Sequence, residues 1–355
     1  SSVTVFPDGE SSTKSATVTG LTNGTSYYFR VKAISDYGIS KYSAITPALV
    51  PSLPSTPATP DLDSASDLGS SSTDNRTSDD TPTFNIASGL TSGANVTLTA
   101  TPATGSASTC TFTASGTSGS CTFTSLPNGT YSVTASQTVS GDTSATSTAL
   151  TNVVINKVSI SAPATPDLAS SSDSGSSSTD NITNDSTPTI NVSGTFTGTA
   201  TVTATKAGST SVSCTISSGS CTLGTLSSGT WIITASDSDG DGNSSAPSTS
   251  LSITVDSTAP TPTLTTQTVT NSATVLVQGS ELGVAYLVKT DVTPTSVAQI
   301  LAYTDGRWNQ VTISSINTPT EISTAGLDIG TNGENYALYV ADAAGNLSAG
   351  TANLV

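Results

Sequence analysis

A segment of the chain recurs after about 106 residues, and this repeat limits the possible folds more than any other feature of the sequence. Residues 165–188 closely resemble residues 59–82, and Pro166–Leu168 has the same sequence as Pro60–Leu62. A period of about 100 residues is too long for one turn of a solenoid and is typical of tandem sandwich domains. The sequence therefore predicts several similar domains in a row.

The composition indicates thin domains that are rich in β-structure. Hydrophobic residues make up 34% of the 355 residues and charged residues only 10%, whereas disordered chains combine low hydrophobicity with high charge. β-Branched residues recur in short alternating runs between Gly, Pro and Asn clusters, which is the pattern of half-buried strands. Only residues 296–303 have the pattern of a short helical turn. We therefore predict an all-β chain.

Changes in composition divide the chain into four predicted domains of sandwich size. Their predicted bounds are 1–50, 51–160, 161–257 and 258–355. Prolines between residues 47 and 60 favour the polyproline II conformation and predict a stiff linker. Within the two repeats, the predicted strands are 83–86, 95–100, 110–113, 121–126, 131–135 and 153–157, and then 189–192, 200–205, 211–216, 221–226, 231–235 and 251–255.

The first predicted domain has two alternating strands around a turn at Asn23-Gly24. The spacing of Leu21, Gly24 and Tyr27 resembles the tyrosine corner of fibronectin type III domains, in which the tyrosine hydroxyl bonds to the backbone of the turn. Alternate residues from Tyr27 to Ala33 are then expected to face a core. The resemblance covers only the C-terminal half of such a domain. Either the sequence is a fragment, which we expect, or another chain supplies the missing strands by edge pairing.

Three further motifs carry a family resemblance: the leader segment 165–188, the boundary Asp256-Ser257-Thr258-Ala259-Pro260 and the closing segment Asp342–Ser348. Together they resemble bacterial immunoglobulin-like repeats, which occur in very large secreted or surface-anchored adhesins. The resemblance covers about residues 57–355, and the fibronectin type III-like part covers most of the rest. Together they imply tandem immunoglobulin-like and fibronectin type III-like β-sandwiches in an extended array, often stiffened by calcium at the domain junctions. Residues 138–143 depart from the family pattern because they replace its acidic closing turn.

The charge of the chain limits the kinds of partner that it is expected to bind. The net charge is -16, there is no histidine, and the nine basic residues are scattered, so we predict no binding to nucleic acid. No apolar run reaches about 18 residues, so we predict no membrane span in this segment. Grouped carboxylates favour divalent cations, and the alternative is acidic charge that serves solubility alone.

Four cysteines form two pairs that occupy equivalent places in the two repeats. Cys110 and Cys121 stand on either side of a Gly/Ser-rich turn, as do Cys214 and Cys221. We interpret each pair as the two sides of one hairpin, within reach of a disulfide. A zinc site is the alternative, but the cysteines lie in separate repeats and the chain has no histidine. Disulfides would indicate an extracellular or bacterial cell-surface location.

Acidic residues form two classes of candidate metal ligand. Alternating carboxylates occur at Asp237, Asp239 and Asp241, and Asp256 lies on the strand into the next domain. Calcium takes about six to eight oxygen ligands in irregular geometry, so we predict that these residues form a junction site for Ca²⁺. The second class lies in the two leader segments and comprises Asp61, Asp67, Asp74, Asp167, Asp173 and Asp180. For both classes, the alternative is a solvated acidic turn that binds no metal.

No arrangement in the sequence places a base beside a nucleophile, so we predict that the protein is not an enzyme. The predicted function is a structural stalk or spacer segment of a large secreted or cell-surface adhesin-type protein, stiffened by disulfides and Ca²⁺. Its expected partners are other domains of the same protein, further copies of itself, or a cell-surface or glycan ligand. Two alternatives stay open: a subunit of a self-assembling extracellular filament, and an accessory module of a secreted polysaccharide-degrading enzyme.

Overall fold

The computed structural model describes residues 18–265, 269, 272–328 and 333–351. Residues 1–17 of the predicted first domain and 352–355 of the predicted last domain lie outside this range. Among the described residues, α1 (Val297–Leu301) is the only helix, and the other regular elements are strands, which confirms the all-β fold. None of the described helical residues forms a span long and apolar enough to cross a membrane. The chain divides into two compact units, Ser1–Lys157 and Val158–Val355.

The described part of the first unit begins with an irregular hairpin that contains β1 (Ile34–Ser35) and β2 (Gly38–Ile39). The tyrosine corner is present, since the Thr22 N–H donates to the Tyr27 hydroxyl oxygen over 2.9 Å. The expected core face is wrong beyond Phe29, because Val31 is 73% exposed. An alternating face is buried only where a second sheet covers it, and no described sheet covers this hairpin at Val31.

The second sandwich follows in the same unit and has two sheets. Its strands are β3 (Asp61–Leu62), β4 (Arg76–Thr77), β5 (Thr83–Ile86), β6 (Asn95–Pro102), β7 (Ser108–Thr113), β8 (Gly119–Thr122), β9 (Gly129–Val139), β10 (Asp142–Thr143) and β11 (Leu150–Ile155). One sheet has the order β3-β5-β8, and the other has the order β4-β11-β9-β6-β7 with β10 paired to β9. β4 runs parallel to β11, so the leader segment closes one edge of the larger sheet.

The alternation of apolar and polar residues explains which faces meet. In β6, Val96, Leu98 and Ala100 point into the core and are fully buried, while the threonines between them are half-buried. Full burial of a valine or leucine side chain contributes about 1.5–3 kcal/mol relative to exposure. Phe84 and Phe123 pack edge to face in the same core, with their ring centroids 5.7 Å apart.

The third sandwich, in the second unit, repeats this topology. Its strands are β12 (Asp167–Leu168), β13 (Ile182–Thr183), β14 (Thr189–Asn191), β15 (Thr199–Thr205), β16 (Val212–Thr215), β17 (Ser220–Thr222), β18 (Gly229–Ser238) and β19 (Leu251–Val255). The sheet orders are β12-β14-β17 and β13-β19-β18-β15-β16. Trp231 is the largest fully buried side chain of its core, and its indole N–H donates to the Ser227 carbonyl.

Both predicted disulfides are formed, but the predicted hairpins are wrong. Cys110–Cys121 and Cys214–Cys221 have Cα–Cα distances of 6.1 and 5.9 Å. β7 belongs to the larger sheet of the second sandwich and β8 to the smaller one, and β16 and β17 are divided in the same way. The short connections cross from one sheet to the other instead of turning back within one sheet. Each disulfide therefore ties the two sheets of a sandwich together.

The fourth sandwich completes the second unit. Its strands are β20 (Pro262–Leu264), β21 (Thr274–Gly279), β22 (Gly283–Lys289), β23 (Trp308–Ile313), β24 (Thr320–Ser323) and β25 (Tyr336–Ala341), with α1 between β22 and β23. The sheet orders are β20-β21-β24 and β23-β22-β25. β25 is buried along its whole length, because one face meets the core between the sheets and the other packs with Ile300 of α1.

The sandwiches have separate hydrophobic cores, one between Leu62 and Ile155, one between Leu168 and Val255, and two within the fourth sandwich. Only short linkers lie between these cores along the chain. The exact bounds of the four predicted domains stay a prediction.

Candidate metal centre between the third and fourth sandwiches

The closing turn of the fourth sandwich is built on Asp342, which directly follows β25. Its Oδ1 accepts the Asn346 backbone N–H over 2.9 Å, and its Oδ2 accepts the Asn346 side-chain amide over 2.8 Å. The turn ends at Ser348, which pairs with Val340 through the backbone and through its hydroxyl. Asp342 is thereby fixed, with 8% of its surface exposed, at the end of the sandwich where the chain enters.

Asp256 reaches the same place from the third sandwich. It directly follows β19, and its backbone N–H donates to the Thr183 carbonyl of the leader segment. The Asn346 side-chain amide donates to the Asp256 backbone oxygen over 2.7 Å. The linker is therefore bonded to the end of one sandwich and to the closing turn of the next.

Glu281 supplies a third carboxylate from the turn between β21 and β22. Carboxylate oxygens of Asp256, Glu281 and Asp342 all lie within 4.8 Å of one another. Burial, followed by the charges of Asp256 and Asp342, raises the pKa of Glu281. Burial also raises the pKa of Asp342, against its hydrogen bonds to Asn346, and Asp256 adds to the rise. In the described part of the chain, no lysine or arginine forms an ion pair with these three residues.

The donor set fits a hard divalent cation. Three carboxylates supply up to six oxygens, which suits Ca²⁺ because it takes about six to eight oxygen ligands in flexible geometry. The cluster contains no nitrogen or sulfur donor of the kind that zinc prefers. Burial and, after it, mutual repulsion of the carboxylates raise the pKa values of Glu281 and Asp342, and a bound cation would relieve the repulsion.

Further contacts between the two sandwiches involve Ala343 and Ala344, the two residues that follow Asp342. The Ser174 hydroxyl in the third sandwich donates to the Ala344 carbonyl over 2.6 Å. Gly175 has a φ of +94°, and a Cβ atom there would lie 2.0 Å from the Ala343 carbonyl oxygen. The positive φ and the short distance to the carbonyl oxygen both require glycine at this position. The leader loop of one sandwich thus packs directly on the closing turn of the next.

The predicted grouping of Asp256 with the acidic turn of its own sandwich is wrong. Asp256 follows Val255, which pairs with Gly229 at the start of β18, whereas Asp237 lies near the end of that strand. Eight residues of strand separate the two ends by about 26 Å at about 3.3 Å per residue. A closing turn lies where the chain enters a sandwich, so Asp256 meets the closing turn of the next sandwich and not its own.

The acidic turn of the third sandwich is occupied largely by its own hydrogen bonds. The carboxylate of Asp237 accepts the backbone N–H groups of Thr197 and Gly198. Asp239 accepts from the Asp241 backbone and from the backbone and side chain of Asn243. Asp241 is 5% exposed. Binding of metal by Asp237, Asp239 and Asp241 stays a prediction.

The leader residues occupy equivalent places in the second and third sandwiches. Asp61 and Asp167 open short strands and are exposed, and so are Asp74 and Asp180 in the loops. Asp67 and Asp173 are buried, with 4% and 5% of their surface exposed. Their binding of metal likewise stays a prediction.

Sequence reasoning missed two of the three clustered carboxylates. The sequence analysis assigns Asp342 to the closing segment without a role as a ligand, and it does not include Glu281 among the candidate ligands. The Asp-x-x-x-Asn spacing that Asp342–Asn346 shares with Asp239–Asn243 was the available sign of a common turn. Glu281 comes from a sequence-distant turn, so no local spacing could have identified it.

Comparison with known proteins identifies the family. A model of the bacterial Ig-like domain matches residues 53–156 and 159–257. No curated protein sequence matches the chain. The solved FN1–FN3 domains of chicken CNTN1 are similar at 12% identity and a TM-score of 0.32, over 84% of this chain and 97% of that one. A Ca²⁺-stabilized adhesin that helps an Antarctic bacterium reach out and bind ice is similar at 15% identity and a TM-score of 0.31, over 92% of this chain and 80% of that one.

The family match confirms the resemblance that the leader and closing motifs indicated. Its two matched segments coincide with the second and third sandwiches, whose topologies are the same. Together the segments span more than half of the 355 residues. The chain belongs to the bacterial Ig-like domain family.

Proposed function

We propose that the chain is a stalk segment of a large secreted or cell-surface adhesin-type protein, and that its role is mechanical rather than catalytic. The observation that carries the proposal is the convergence of Asp256, Glu281 and Asp342, which belong to a linker and to the sandwich that follows it. A cation held there would link the two segments and resist bending between them. The proposed cation is Ca²⁺.

The residues around the cluster support a stiffening role. Asn346 holds the Asp256 backbone, and Ser174 and Gly175 pack on the closing turn, so the carboxylates are preorganised at short range. Without a cation, the negative charges repel one another and favour separation of the linker from the fourth sandwich. Bound Ca²⁺ would neutralise these charges, so repulsion would no longer oppose the packing contacts between the linker and the fourth sandwich.

The two disulfides support an extracellular location. Each ties the two sheets of a small sandwich, and such crosslinks persist in oxidising compartments. Membership in the bacterial Ig-like family is consistent with a repetitive surface protein. The proposed partners are other domains of the same protein.

Small-angle X-ray scattering on the full chain tests the proposal, first with Ca²⁺ and then with excess chelator. We expect a rigid profile in Ca²⁺ that becomes more flexible on chelation. The variant Glu281→Gln should give the flexible profile in both conditions. Glu321→Gln, at an exposed site in β24 of the same sandwich, is the matched control and should behave like the wild type. Identical wild-type profiles with and without Ca²⁺ would overturn the cation-stiffened junction.

A further inference from the structure

Two buried carboxylate oxygens lack any hydrogen-bond partner, and they occupy equivalent positions in two sandwiches. They are Oδ1 of Asp67 and Oδ1 of Asp173. Among the described residues, these are the only buried side-chain oxygen or nitrogen atoms without a partner. A buried, unpaired carboxylate oxygen is costly, and its occurrence at the same place in both leader loops requires a common explanation.

Hydrogen bonds within each loop hold the carboxylate in place. Oδ2 of Asp67 accepts the Asn75 N–H, and Oδ2 of Asp173 accepts the Asn181 N–H, both over 3.2 Å. Asn75 and Asn181 have φ values of 60° and 61°, the left-handed conformation that turns their amides inward. The free Oδ1 atoms are therefore fixed features of the fold and not the result of a loose side chain.

A second carboxylate stands beside each buried one. Asp74 and Asp180 precede the two left-handed asparagines, and each caps its own turn by accepting a backbone N–H over 3.1 Å. Burial is the main cause that raises the pKa of Asp67, and the charge of Asp74 adds to it. The pKa of Asp173 is raised in the same way, by burial and by Asp180.

No basic side chain can be the common partner of these pairs. Arg76 follows the turn in the second sandwich, but Ile182 takes its place in the third. The intervening loops, residues 68–73 and 174–179, are instead rich in Ser, Thr and Gly, whose hydroxyl and carbonyl oxygens are hard donors. The chemistry shared by both loops is therefore two carboxylates and several neutral oxygens.

We propose that each leader loop binds one divalent cation of its own, between Asp67 and Asp74 in the second sandwich and between Asp173 and Asp180 in the third. The cation is of the Ca²⁺ class, since the available donors are all oxygens. These sites lie within single sandwiches and do not depend on the junction centre. In the third sandwich, the bound ion would also fix Ser174, the neighbour of Asp173 that bonds to Ala344.

Calorimetric titration of the full chain with Ca²⁺ at neutral pH tests the proposal. Asp67→Asn and Asp173→Asn should each lower the number of bound ions by one relative to the wild type. Asp74→Asn and Asp180→Asn change exposed residues, so they should fold normally while weakening the affinity of one site at least about tenfold. Asp142→Asn, at an exposed site in β10, is the control for loss of one negative charge and should leave binding unchanged.

Two results separate this proposal from the junction centre. Glu281→Gln should remove only the junction ion and leave both leader sites intact. If the Asp67 and Asp173 variants, shown to be folded by circular dichroism, bind as many ions as the wild type, the leader sites do not exist. A second outcome also overturns the proposal. If the calcium-free wild type is more stable at low pH and the Asp67 and Asp173 variants bind as many ions as the wild type, each carboxylate pair shares a proton instead of a cation.

Discussion

The side-chain amide of Asn346 donates a hydrogen bond of 2.7 Å to the backbone oxygen of Asp256. The same amide donates to the carboxylate of Asp342, so one asparagine joins the incoming linker to the closing turn. The carboxylates of these two aspartates then meet Glu281 within 4.8 Å. Hydrogen bonds from the Asn346 side-chain amide thus bring together like charges that would otherwise separate, and the first two predictions follow from this arrangement.

Calcium should stabilise the second unit through Glu281. A ligand that binds only the folded state adds about 2.7 kcal/mol when its concentration is about 100 times its dissociation constant. Glu281→Gln removes one of the charged ligands of the junction ion. Most of the rise in the melting temperature of the second unit that Ca²⁺ binding at the junction causes should therefore disappear. Differential scanning calorimetry with and without chelator measures this rise. Glu321→Gln should retain the full rise, and an equal loss in both variants would contradict a role for the junction.

In the absence of calcium, the stability of the wild type should fall as the pH rises through the carboxyl range. Folding raises the pKa values of Glu281 and Asp342, so the folded state holds protons that the unfolded chain has released. The destabilisation is absent below the ordinary pKa values of these groups and complete above the raised ones. Melting temperatures in chelator should therefore show a weaker fall with pH in Glu281→Gln. An identical slope in both proteins would show that the cluster carries no electrostatic strain.

Gly175→Ala should separate the leader loop from the closing turn of the fourth sandwich. The added Cβ would lie 2.0 Å from the Ala343 carbonyl oxygen, and the backbone already has a φ of +94°. We expect increased proteolysis of the linker at residues 256–261. Gly208→Ala is the matched control, because Gly208 has a φ of +76° and no atom within 4 Å of an added Cβ. That variant carries the backbone strain of about 1–3 kcal/mol alone. Equal proteolysis of the two variants would argue against a packed junction.

Reduction of the disulfides should destabilise the two repeats without unfolding the fourth sandwich, which contains no cysteine. The sequence separations are 11 and 7 residues. The chain-entropy model gives about 3 and about 2 kcal/mol for loops of these sizes. Calorimetry of the Cys110→Ser/Cys121→Ser and Cys214→Ser/Cys221→Ser variants should show the larger loss in the first. A lowered transition temperature of the fourth sandwich in the Cys214→Ser/Cys221→Ser variant would contradict this prediction and indicate that the contacts of Ser174 and Asn346 couple the two sandwiches.

Local patterns in the sequence were sufficient to predict most strands of the second and third sandwiches. The predicted strands 83–86 and 251–255 match β5 and β19 at both ends, and the predicted helical turn contains α1. Alternation of apolar residues over four or more positions is a local property, so it survives in any tertiary context. The disulfide partners followed for the same reason, because each pair stands in one short segment.

Relationships between distant segments could not be predicted in this way. The assignment of Cys110 and Cys121 to one hairpin failed because sheet membership depends on which strands pair far along the chain. An alignment of the strand sequences Tyr336–Asp342 and Trp231–Asp237, which sets Asp342 against Asp237, is also wrong. Bridges place Leu347 opposite Ala341 and Ser244 opposite Ser238, so Asp342 corresponds to Asp239. β18 is longer than β25, its counterpart in the fourth sandwich, and an alignment of the two strand sequences does not reveal this difference in length.

A spacing that the sequence analysis overlooked recurs in each of the four predicted domains, after one strand: the extended run that leads into β1, then β9, β18 and β25. Serine or threonine residues three positions apart accept backbone N–H groups of that strand through their hydroxyl oxygens. The pairs are Ser40 and Ser43, Ser144 and Ser147, Ser245 and Ser248, and Ser348 and Thr351. The same residues donate their own N–H groups to the strand, so the short segment that carries each pair is attached to the strand by its serine or threonine residues.

Loss of one such hydroxyl should therefore be costly even though no apolar contact is removed. In Ser248→Ala, the buried Ala235 N–H loses an acceptor 2.9 Å away, and the methyl group that remains excludes water. An unsatisfied buried donor costs about 1–3 kcal/mol, so the free energy of unfolding of the third sandwich should fall by that amount. Ser250→Ala, at an exposed position of the same segment, should be close to neutral and is the control. Equal stability of the two variants in urea would mean that water or a rearranged backbone replaces the hydroxyl.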